Sequence, residues 1–258
     1  MPDPRIIVCG GGHPLVSALS LFEEGLNLTG ATKPNLLVIP TAKTTTANHA
    51  SITDRMREYG ARRGLDVRIM HEFGSLPSPM EFAEQLEWAD AAYLTGGDTE
   101  LAVRSWVDAG IATPLAEGVL AGEVVAIGIS AGGPWFDWMW SDSNQYSTRK
   151  GEPWDYKRVE CLGIYDASYC PHVNTRHPIT RVPREESYKA ALLREGFGIG
   201  IGIENDTALR IVGKNCKVIT SVNSGGINRY VVRDDNVLSI NRFGAGDNVM
   251  SLPELLTA

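Results

Sequence analysis

The residues best suited to chemistry begin with a serine in a glycine-rich turn. An apolar run at 124–129 leads directly into the pattern Gly-x-Ser-x-Gly, which has Ser130 at its centre. This pattern is typical of a nucleophile elbow, a sharp strand-to-helix turn that exposes the serine hydroxyl. The flanking glycines allow the tight turn, and the amides that follow can face developing negative charge. Pro134 suits the first turn of the expected helix, so the pattern predicts a nucleophilic serine at the edge of a sheet.

A serine hydroxyl is a weak nucleophile until a base accepts its proton, and the chain has five histidines. His172 is the preferred base because it ends an apolar run and begins an irregular loop. His177 lies in the same loop and is the reserve candidate. His13 follows three glycines near a strand end, where sites gather, but it also suits a helix-cap neighbour. The remaining two are interpreted as surface or core residues: His49 and His71.

The base also needs a partner that fixes its tautomer and stabilises its cation. Two acids suit this role. Glu204 stands where a predicted strand ends, and Asp142 follows the elbow region. Acidic residues are common at turns, where they can have a purely structural role. The sequence spacing therefore does not decide between the two acids.

A second glycine-rich turn follows a predicted strand at 95–99. Its backbone amides could bind an oxyanion, while Asp98 or Thr99 caps the next helix. The earlier run of glycines at 10–12 lacks the last glycine of a dinucleotide fingerprint and the lysine of a phosphate loop. The four cysteines are scattered without metal-ligand spacing, which favours reduced thiols. We therefore expect no metal and no organic cofactor.

Alternating strands and helices must position these residues. Apolar runs predict strands at 5–9, 36–40, 67–70, 91–94 and 124–129, and helical spacing predicts helices at 14–24, 47–63, 79–88, 99–120 and 184–195. This alternation indicates an α/β fold with a mainly parallel sheet. The aromatic run 134–140 is interpreted as a helix that packs into the core. The stretch 141–184 is predicted to be irregular.

Short strand-like runs follow at 198–203, 208–212, 217–221, 227–232 and 236–240. They predict antiparallel strands that complete the sheet or cover one of its edges. The whole chain, 1–258, is expected to form one domain, since α/β folds of this length commonly do.

Composition excludes several classes of function. The net charge of −7 gives no general attraction to nucleic acid or anionic membranes, so an anionic ligand needs a local cationic pocket. The sequence shows no secretory signal and no segment long enough to span a bilayer, which predicts a cytoplasmic protein. A homodimer is one assembly that the sequence leaves open.

Four motifs in order resemble the peptidase E family of aspartyl dipeptidases, which also includes the cyanophycinases. They are Thr-Gly-Gly-Asp-Thr at 95–99, Gly-Ile-Ser-Ala-Gly at 128–132, Cys-Pro-His at 170–172 and Gly-Ile-Glu-Asn-Asp-Thr-Ala-Leu at 202–209. The order of all four motifs is specific, whereas Gly-x-Ser-x-Gly alone is shared with unrelated hydrolases. The resemblance implies a class I glutamine-amidotransferase-like, flavodoxin-like fold.

The same resemblance implies a catalytic triad of Ser130, His172 and Glu204, with Asp142 as the alternative acid. It also implies an oxyanion hole formed by the amides of Ala131 and of a glycine in the second turn: Gly97 or, alternatively, Gly96.

The implied substrate is a small peptide with an N-terminal aspartate, whose side chain must meet a cation. Arg184 is in a position similar to the family's specificity arginine, and the same loop offers Arg176 and Arg181 as alternatives. A cyanophycinase-like exopeptidase acting on β-aspartyl-arginine would use the same triad, and a non-catalytic ligand-binding relative would keep the elbow without turnover. In a lipase or esterase of the α/β-hydrolase fold the acid precedes the histidine, whereas Glu204 follows His172.

Overall fold

The computed structural model describes residues 3–147, 155–196, 198–233, 237–246 and 248–257. The strands are β1 (Arg5–Cys9), β2 (Leu36–Ile39), β3 (Val67–Ile69), β4 (Ala91–Leu94), β5 (Val125–Ile129), β6 (Phe136–Ser141), β7 (Lys157–Glu160), β8 (Tyr165–Cys170), β9 (Ile199–Ile203), β10 (Thr207–Val212), β11 (Asn215–Thr220), β12 (Gly226–Val232), β13 (Leu238–Gly244) and β14 (Asn248–Ser251). The helices are α1 (Leu19–Asn27), α2 (Thr46–Arg63), α3 (Pro79–Trp88), α4 (Thr99–Asp108), α5 (Ala112–Leu120), α6 (Asn144–Ser147), α7 (Arg184–Glu195) and α8 (Leu252–Leu255).

The first sheet contains the parallel strands that the sequence predicts. Its strand order is β14-β11-β10-β1-β5-β4-β2-β3. Strands β1, β5, β4, β2 and β3 run parallel, and β10, β11 and β14 extend the sheet in antiparallel fashion. The inner parallel strands are apolar and buried along almost their whole length, as expected when both faces of a sheet are covered. The fold is α/β.

A second sheet has the order β13-β12-β9-β8-β6-β7. Its strands β6, β8 and β9 are parallel, and its remaining strands are antiparallel to their neighbours. Two of its members, β7 and β8, come from the stretch 141–184 that the sequence predicted to be irregular. The C-terminal strands are therefore divided between two mixed sheets. The predicted strand at 236–240 lies partly outside the described residues, and β13 begins at Leu238.

The prediction of a helix after the elbow is wrong. Residues Ser130–Gly132 form a single 3-10 turn, and the aromatic run continues as strand β6 instead. Its large side chains are buried, as predicted, but they extend from a strand. A short apolar run suits either element, and aromatic residues favour the strand.

The predicted helix at 99–120 is also corrected, because it is divided into α4 and α5. Gly110 between them has a φ of 72°, a left-handed conformation that ends a helix. The predicted bounds of α3 and α7 are the observed ones. In the part of the chain that the structure describes, no helix combines the length and apolar character needed to cross a membrane.

The two sheets share a core. One apolar cluster joins Val8 and Leu94 of the first sheet to Phe136, Tyr169 and Ile201 of the second. On the opposite face of the first sheet, a second cluster covers the sheet with side chains of α1 and α2. The carboxyl ends of β1, β4, β5, β8 and β9 are thereby fixed relative to one another, and each of these ends carries a residue of the candidate site.

Candidate active site

Ser130 follows β5 directly and has a φ of 55°, a conformation that non-glycine residues rarely adopt. The flanking glycines are sterically required. A Cβ on Gly128 would overlap the Gly132 carbonyl oxygen, and a Cβ on Gly132 would overlap the Leu94 carbonyl oxygen. The elbow predicted from the sequence is therefore present, although no helix follows it. Strained backbone at a positive φ is common where a side chain is held for function.

The structure brings Ser130 and His172 together. His172 Nε2 lies 2.8 Å from Ser130 Oγ, a hydrogen-bond distance. His172 comes two residues after β8 with a φ of 53°, and its amide donates to the Gly10 carbonyl oxygen at 2.9 Å. The position of His172 is thus fixed by the carboxyl ends of β8 and β1. A base in contact with a serine hydroxyl is the arrangement that activates a nucleophile.

Asn205, which the sequence reasoning did not single out, is the residue that contacts the other side of the imidazole. Its side-chain Oδ1 lies 2.5 Å from His172 Nδ1, and its backbone amide donates to Asn174 Oδ1 at 3.0 Å. Gly11 leaves room for this pair, since a Cβ there would overlap both the Asn205 Oδ1 atom and the His172 ring. An amide oxygen accepts a hydrogen bond, so Nδ1 carries the proton and Nε2 is free to accept one from Ser130.

Glu204 does not contact His172, contrary to the expected triad. Its carboxylate accepts hydrogen bonds from the Gly226 amide at 3.0 Å and from Arg242 Nη1 at 2.5 Å. Both partners belong to the neighbouring strands β12 and β13. Adjacent residues at a strand end point in different directions, so Asn205 takes the position expected for Glu204.

Asp142 and Arg184 contact each other, with 3.5 Å between Asp142 Oδ2 and Arg184 Nη1. The Arg184 side chain is only 2% exposed. It also donates to the Trp140 carbonyl oxygen at 2.6 Å, and its guanidinium lies 4.5 Å from the centre of the Tyr156 ring. The predicted specificity arginine is therefore buried behind the site, while Asp142 reaches the cavity wall.

The other candidates in this loop make no described contact with Ser130. Arg176 Nη1 donates to the Arg181 carbonyl oxygen at 3.1 Å, which ties the two arginines into one loop. His177 Nδ1 accepts from the Thr180 amide at 3.1 Å within that loop. Neither arginine is among the described residues that line the cavity beside Ser130.

The second glycine turn adjoins the serine. A Cβ on Gly96 would lie 3.5 Å from the Ser130 Cβ. Gly97 has a φ of 147° and passes close to the Ala42 carbonyl oxygen, so no larger residue fits there. Both glycines line the cavity, and Ala131 follows the serine in the elbow turn. The turn is placed where its amides could face a reacting carbonyl, and the oxyanion hole remains a prediction.

A cavity of ≈ 410 Å³ opens beside Ser130 and His172. Its wall includes three side chains that the sequence reasoning did not assign to the site: Lys43, Arg55 and His13. Lys43 and Arg55 had no motif around them, and only their position after β2 and on α2 brings them to this edge. Within the described ranges, no group of three or more His, Cys, Asp or Glu side chains is arranged to hold a metal ion.

Burial lowers the pKa of His172 below its usual value of 6.5, and the nearby positive charge of Arg184 lowers it further. The hydrogen bond to Asn205 and the charges of Asp142 and Asp206 oppose this shift. His172 is therefore neutral at pH 7 and able to accept a proton.

The pH profile follows from this shift. A neutral base is present above the pKa of His172, so we expect kcat/KM to rise with pH through a midpoint below 6.5 and to be level at pH 7. Initial rates between pH 4 and pH 8 at low substrate concentration measure this profile. A rising limb centred above 6.5 would contradict the assignment of His172 as the base.

The two cysteine thiols described near this site are poor nucleophiles. Cys9 and Cys170 are buried, and burial raises the pKa of Cys170 to about 12 and that of Cys9 further above its usual range. Both thiols stay protonated at neutral pH, and a thiol is a poor nucleophile compared with a thiolate.

Two solved structures are similar to this chain in fold. A peptidase from an acI-B1 actinobacterium superposes on 96% of this chain and 97% of its own length, with a TM-score of 0.69 and 19% sequence identity. A Listeria monocytogenes EGD-e protein, provisionally described as peptidase E, superposes on 84% of this chain and 98% of its own, with a TM-score of 0.57 and 20% identity. At these identities the likeness concerns the fold, which is that of peptidase E-like proteins.

The chain belongs to peptidase family S51, whose family model matches residues 6–219. It is also 26% identical to the uncharacterized peptidase YgaJ of Bacillus subtilis (strain 168) over 224 residues, which cover 86% of this chain and 89% of that protein. The resemblance to the peptidase E family that the four motifs carried is confirmed. Family membership places the chain among the peptidases.

Proposed function

We propose that the chain is a serine-type peptidase that hydrolyses dipeptides with an N-terminal aspartate through an acyl-enzyme on Ser130. The observation that carries the proposal is the 2.8 Å contact between Ser130 Oγ and His172 Nε2, with Ser130 on a strained elbow. Membership of family S51 supports peptide hydrolysis, and the resemblance to peptidase E supports the aspartyl substrate.

In the first half of the reaction, His172 Nε2 accepts the Ser130 proton as Oγ attacks the carbonyl carbon of the peptide bond. The amides of Gly97 and Ala131, with Gly96 as the alternative, stabilise the oxyanion of the tetrahedral intermediate. His172 then donates its proton to the leaving amine, and the aspartyl group remains as an ester on Ser130. In the second half, water attacks this ester while His172 again accepts and returns a proton.

Asn205 orients the base in this scheme. Because its Oδ1 accepts from His172 Nδ1 at 2.5 Å, it selects the tautomer whose Nε2 faces Ser130. An amide carries no charge, so it aligns the imidazole without stabilising the imidazolium as strongly as a carboxylate would. The triad that the geometry favours is therefore Ser130, His172 and Asn205 rather than one completed by Glu204.

The β-aspartyl-arginine alternative has less support. It requires acidic groups to bind the arginine side chain, but the cavity wall carries Lys43 and Arg55, and its carboxylate Asp142 is paired with Arg184. Like charges would oppose a guanidinium in this cavity.

A substrate panel tests the proposal. We expect hydrolysis of Asp-Leu, much slower hydrolysis of Glu-Leu and Ala-Leu, and no hydrolysis of β-aspartyl-arginine, all in the presence of EDTA. Release of free amino acids, measured by chromatography, gives each rate. Preferred cleavage of β-aspartyl-arginine would favour the cyanophycinase-like alternative, and binding of Asp-Leu without cleavage would favour a non-catalytic relative.

A further inference from the structure

Two cations in the cavity wall have no role in the proton transfers described above. Lys43 lies in the segment between β2 and α2, and Arg55 lies in α2; both side chains line the cavity that contains Ser130. Lys43 Nζ donates to the Gly96 carbonyl oxygen at 2.5 Å. The ammonium group is therefore held at the turn that adjoins Ser130.

Arg55 differs from the other arginines of its helix. The other three each form an ion pair with a carboxylate: Arg57 with Asp54, Arg62 with Glu58, and Arg63 with Glu23. Arg55 instead donates from Nη1 to His13 Nε2 at 2.7 Å. Neither Arg55 nor Lys43 forms an ion pair with any carboxylate in the described part of the chain. Two cationic groups thus face one cavity without neutralising partners.

The charges around them leave this wall positive. Burial lowers the pKa of His13, and the charges of Arg55 and Lys43 lower it further, so His13 is neutral at pH 7. Asp142 is the carboxylate among the described lining residues, and its charge is paired with Arg184. In a chain with a net charge of −7, this wall is a local positive surface that attracts an anion.

We propose that Lys43 and Arg55 bind a carboxylate of the peptide substrate and so set the preference of this site for substrates that carry that carboxylate. The proposal rests on the proposed function, and it gives to these two residues the substrate-binding role that the resemblance implied for Arg184. A guanidinium offers two parallel donors to a carboxylate, and an ammonium adds a compact charge. The carboxylate is either the aspartyl side chain or the C-terminus, because each lies within three bonds of the scissile amide.

Charge-neutral variants and three substrates separate these two sources. Lys43→Met and Arg55→Gln are compared on Asp-Leu, on Asn-Leu, which lacks the side-chain carboxylate, and on aspartyl-leucinamide, which lacks the C-terminal one. The matched controls are Lys33→Met, an exposed lysine, and Arg57→Gln, an arginine of the same helix that is outside the cavity wall. The control variants should keep wild-type rates.

We expect each cavity variant to lower kcat/KM for Asp-Leu by about 10- to 100-fold, mainly through KM, since a charge-assisted hydrogen bond is lost. The rate on the substrate that lacks the recognised carboxylate should hardly change, so the variant loses the corresponding preference. Loss of the preference for Asp-Leu over Asn-Leu assigns the side chain; loss of the preference over the amide assigns the C-terminus. An equal loss on all three substrates, or no loss, would overturn the proposal.

A binding measurement separates this inference from the proposed function. In a Ser130→Ala background, calorimetry with Asp-Leu should show affinity that falls by the same factor when Lys43 or Arg55 is replaced. If the wild type hydrolyses no peptide but this dependence is observed, the proposed function fails and the carboxylate site stands. If hydrolysis is observed but binding is unchanged by both substitutions, the carboxylate site fails alone.

Discussion

Replacing Ser130 with alanine should lower kcat/KM for Asp-Leu by about 10⁴- to 10⁶-fold, because the nucleophile of the proposed acyl-enzyme is lost. The change removes Oγ and its 2.8 Å contact with His172 but leaves the backbone able to form the elbow. Since alanine has no more bulk than serine, we expect the thermal unfolding temperature to change little. Steady-state rates and a melting curve on the same preparation measure both effects.

The thiols of the chain supply the control for this prediction. Cys170→Ser alters a buried group near His172 and Arg184 without touching Ser130, and we expect it to retain most of the activity. Residual activity above a few per cent in folded Ser130→Ala would show that another nucleophile or a directly attacking water carries the reaction.

The Gly11→Ala substitution should cause the second largest loss, at a residue that takes no part in the chemistry. Its Cβ would overlap the Asn205 side chain and the His172 ring, so both must move. Displacement of a catalytic group by about 1 Å can cost about 10²-fold in rate, and here two groups are displaced. We expect kcat/KM to fall by at least that factor, while overpacking lowers the free energy of unfolding by about 1–3 kcal/mol.

Gly118→Ala is the matched control for this steric test. Its Cβ would press on the Leu86 side chain, 2.7 Å away, in the contact between α5 and α3 and remote from the cavity. It should therefore alter stability without altering kcat/KM. If Gly11→Ala kept wild-type rates, the contact between His172 and Asn205 would have no importance for catalysis.

Local sequence patterns were sufficient to predict the glycine-rich turn at Ser130 and the contact of Ser130 with His172. Glycine spacing around Ser130 is imposed by backbone contacts within a few residues and with the adjacent strand β4, so a short motif records it. His172 follows a buried strand, and the carboxyl ends of parallel strands meet at one edge of a sheet. From these two constraints alone, the sequence predicts that the serine and the histidine lie close together.

The residue on the other side of the His172 ring could not be predicted in the same way. Glu204 and Asn205 are adjacent at the end of β9, and the direction of each side chain depends on how the chain leaves that strand. The resemblance to peptidase E implied Glu204, but Arg242 from β13 and the Gly226 amide of β12 bind its carboxylate. The pairing of β9 with β12 is a long-range contact that no local pattern near residue 204 contains.

The sequence reasoning also did not predict the two cations of the cavity wall or the second sheet, and the reasons are related. Lys43 and Arg55 lie far from the motifs in sequence, and only the packing of α2 against the first sheet brings them to the cavity. Strand β6 was predicted as a helix because the elbow pattern is usually followed by one and because a seven-residue aromatic run has no decisive period. The run pairs with β7 and β8, which the sequence left irregular.

The central claim is that Ser130, activated by His172, carries the acyl group. The most direct test is mass spectrometry of the wild-type protein, acid-quenched during turnover of an aspartyl p-nitrophenyl ester, whose good leaving group makes deacylation the slower step. The account predicts an aspartyl group on the peptide that contains Ser130, and its absence from His172→Ala. Steady hydrolysis with no adduct on Ser130, or with the adduct on another residue, would contradict it.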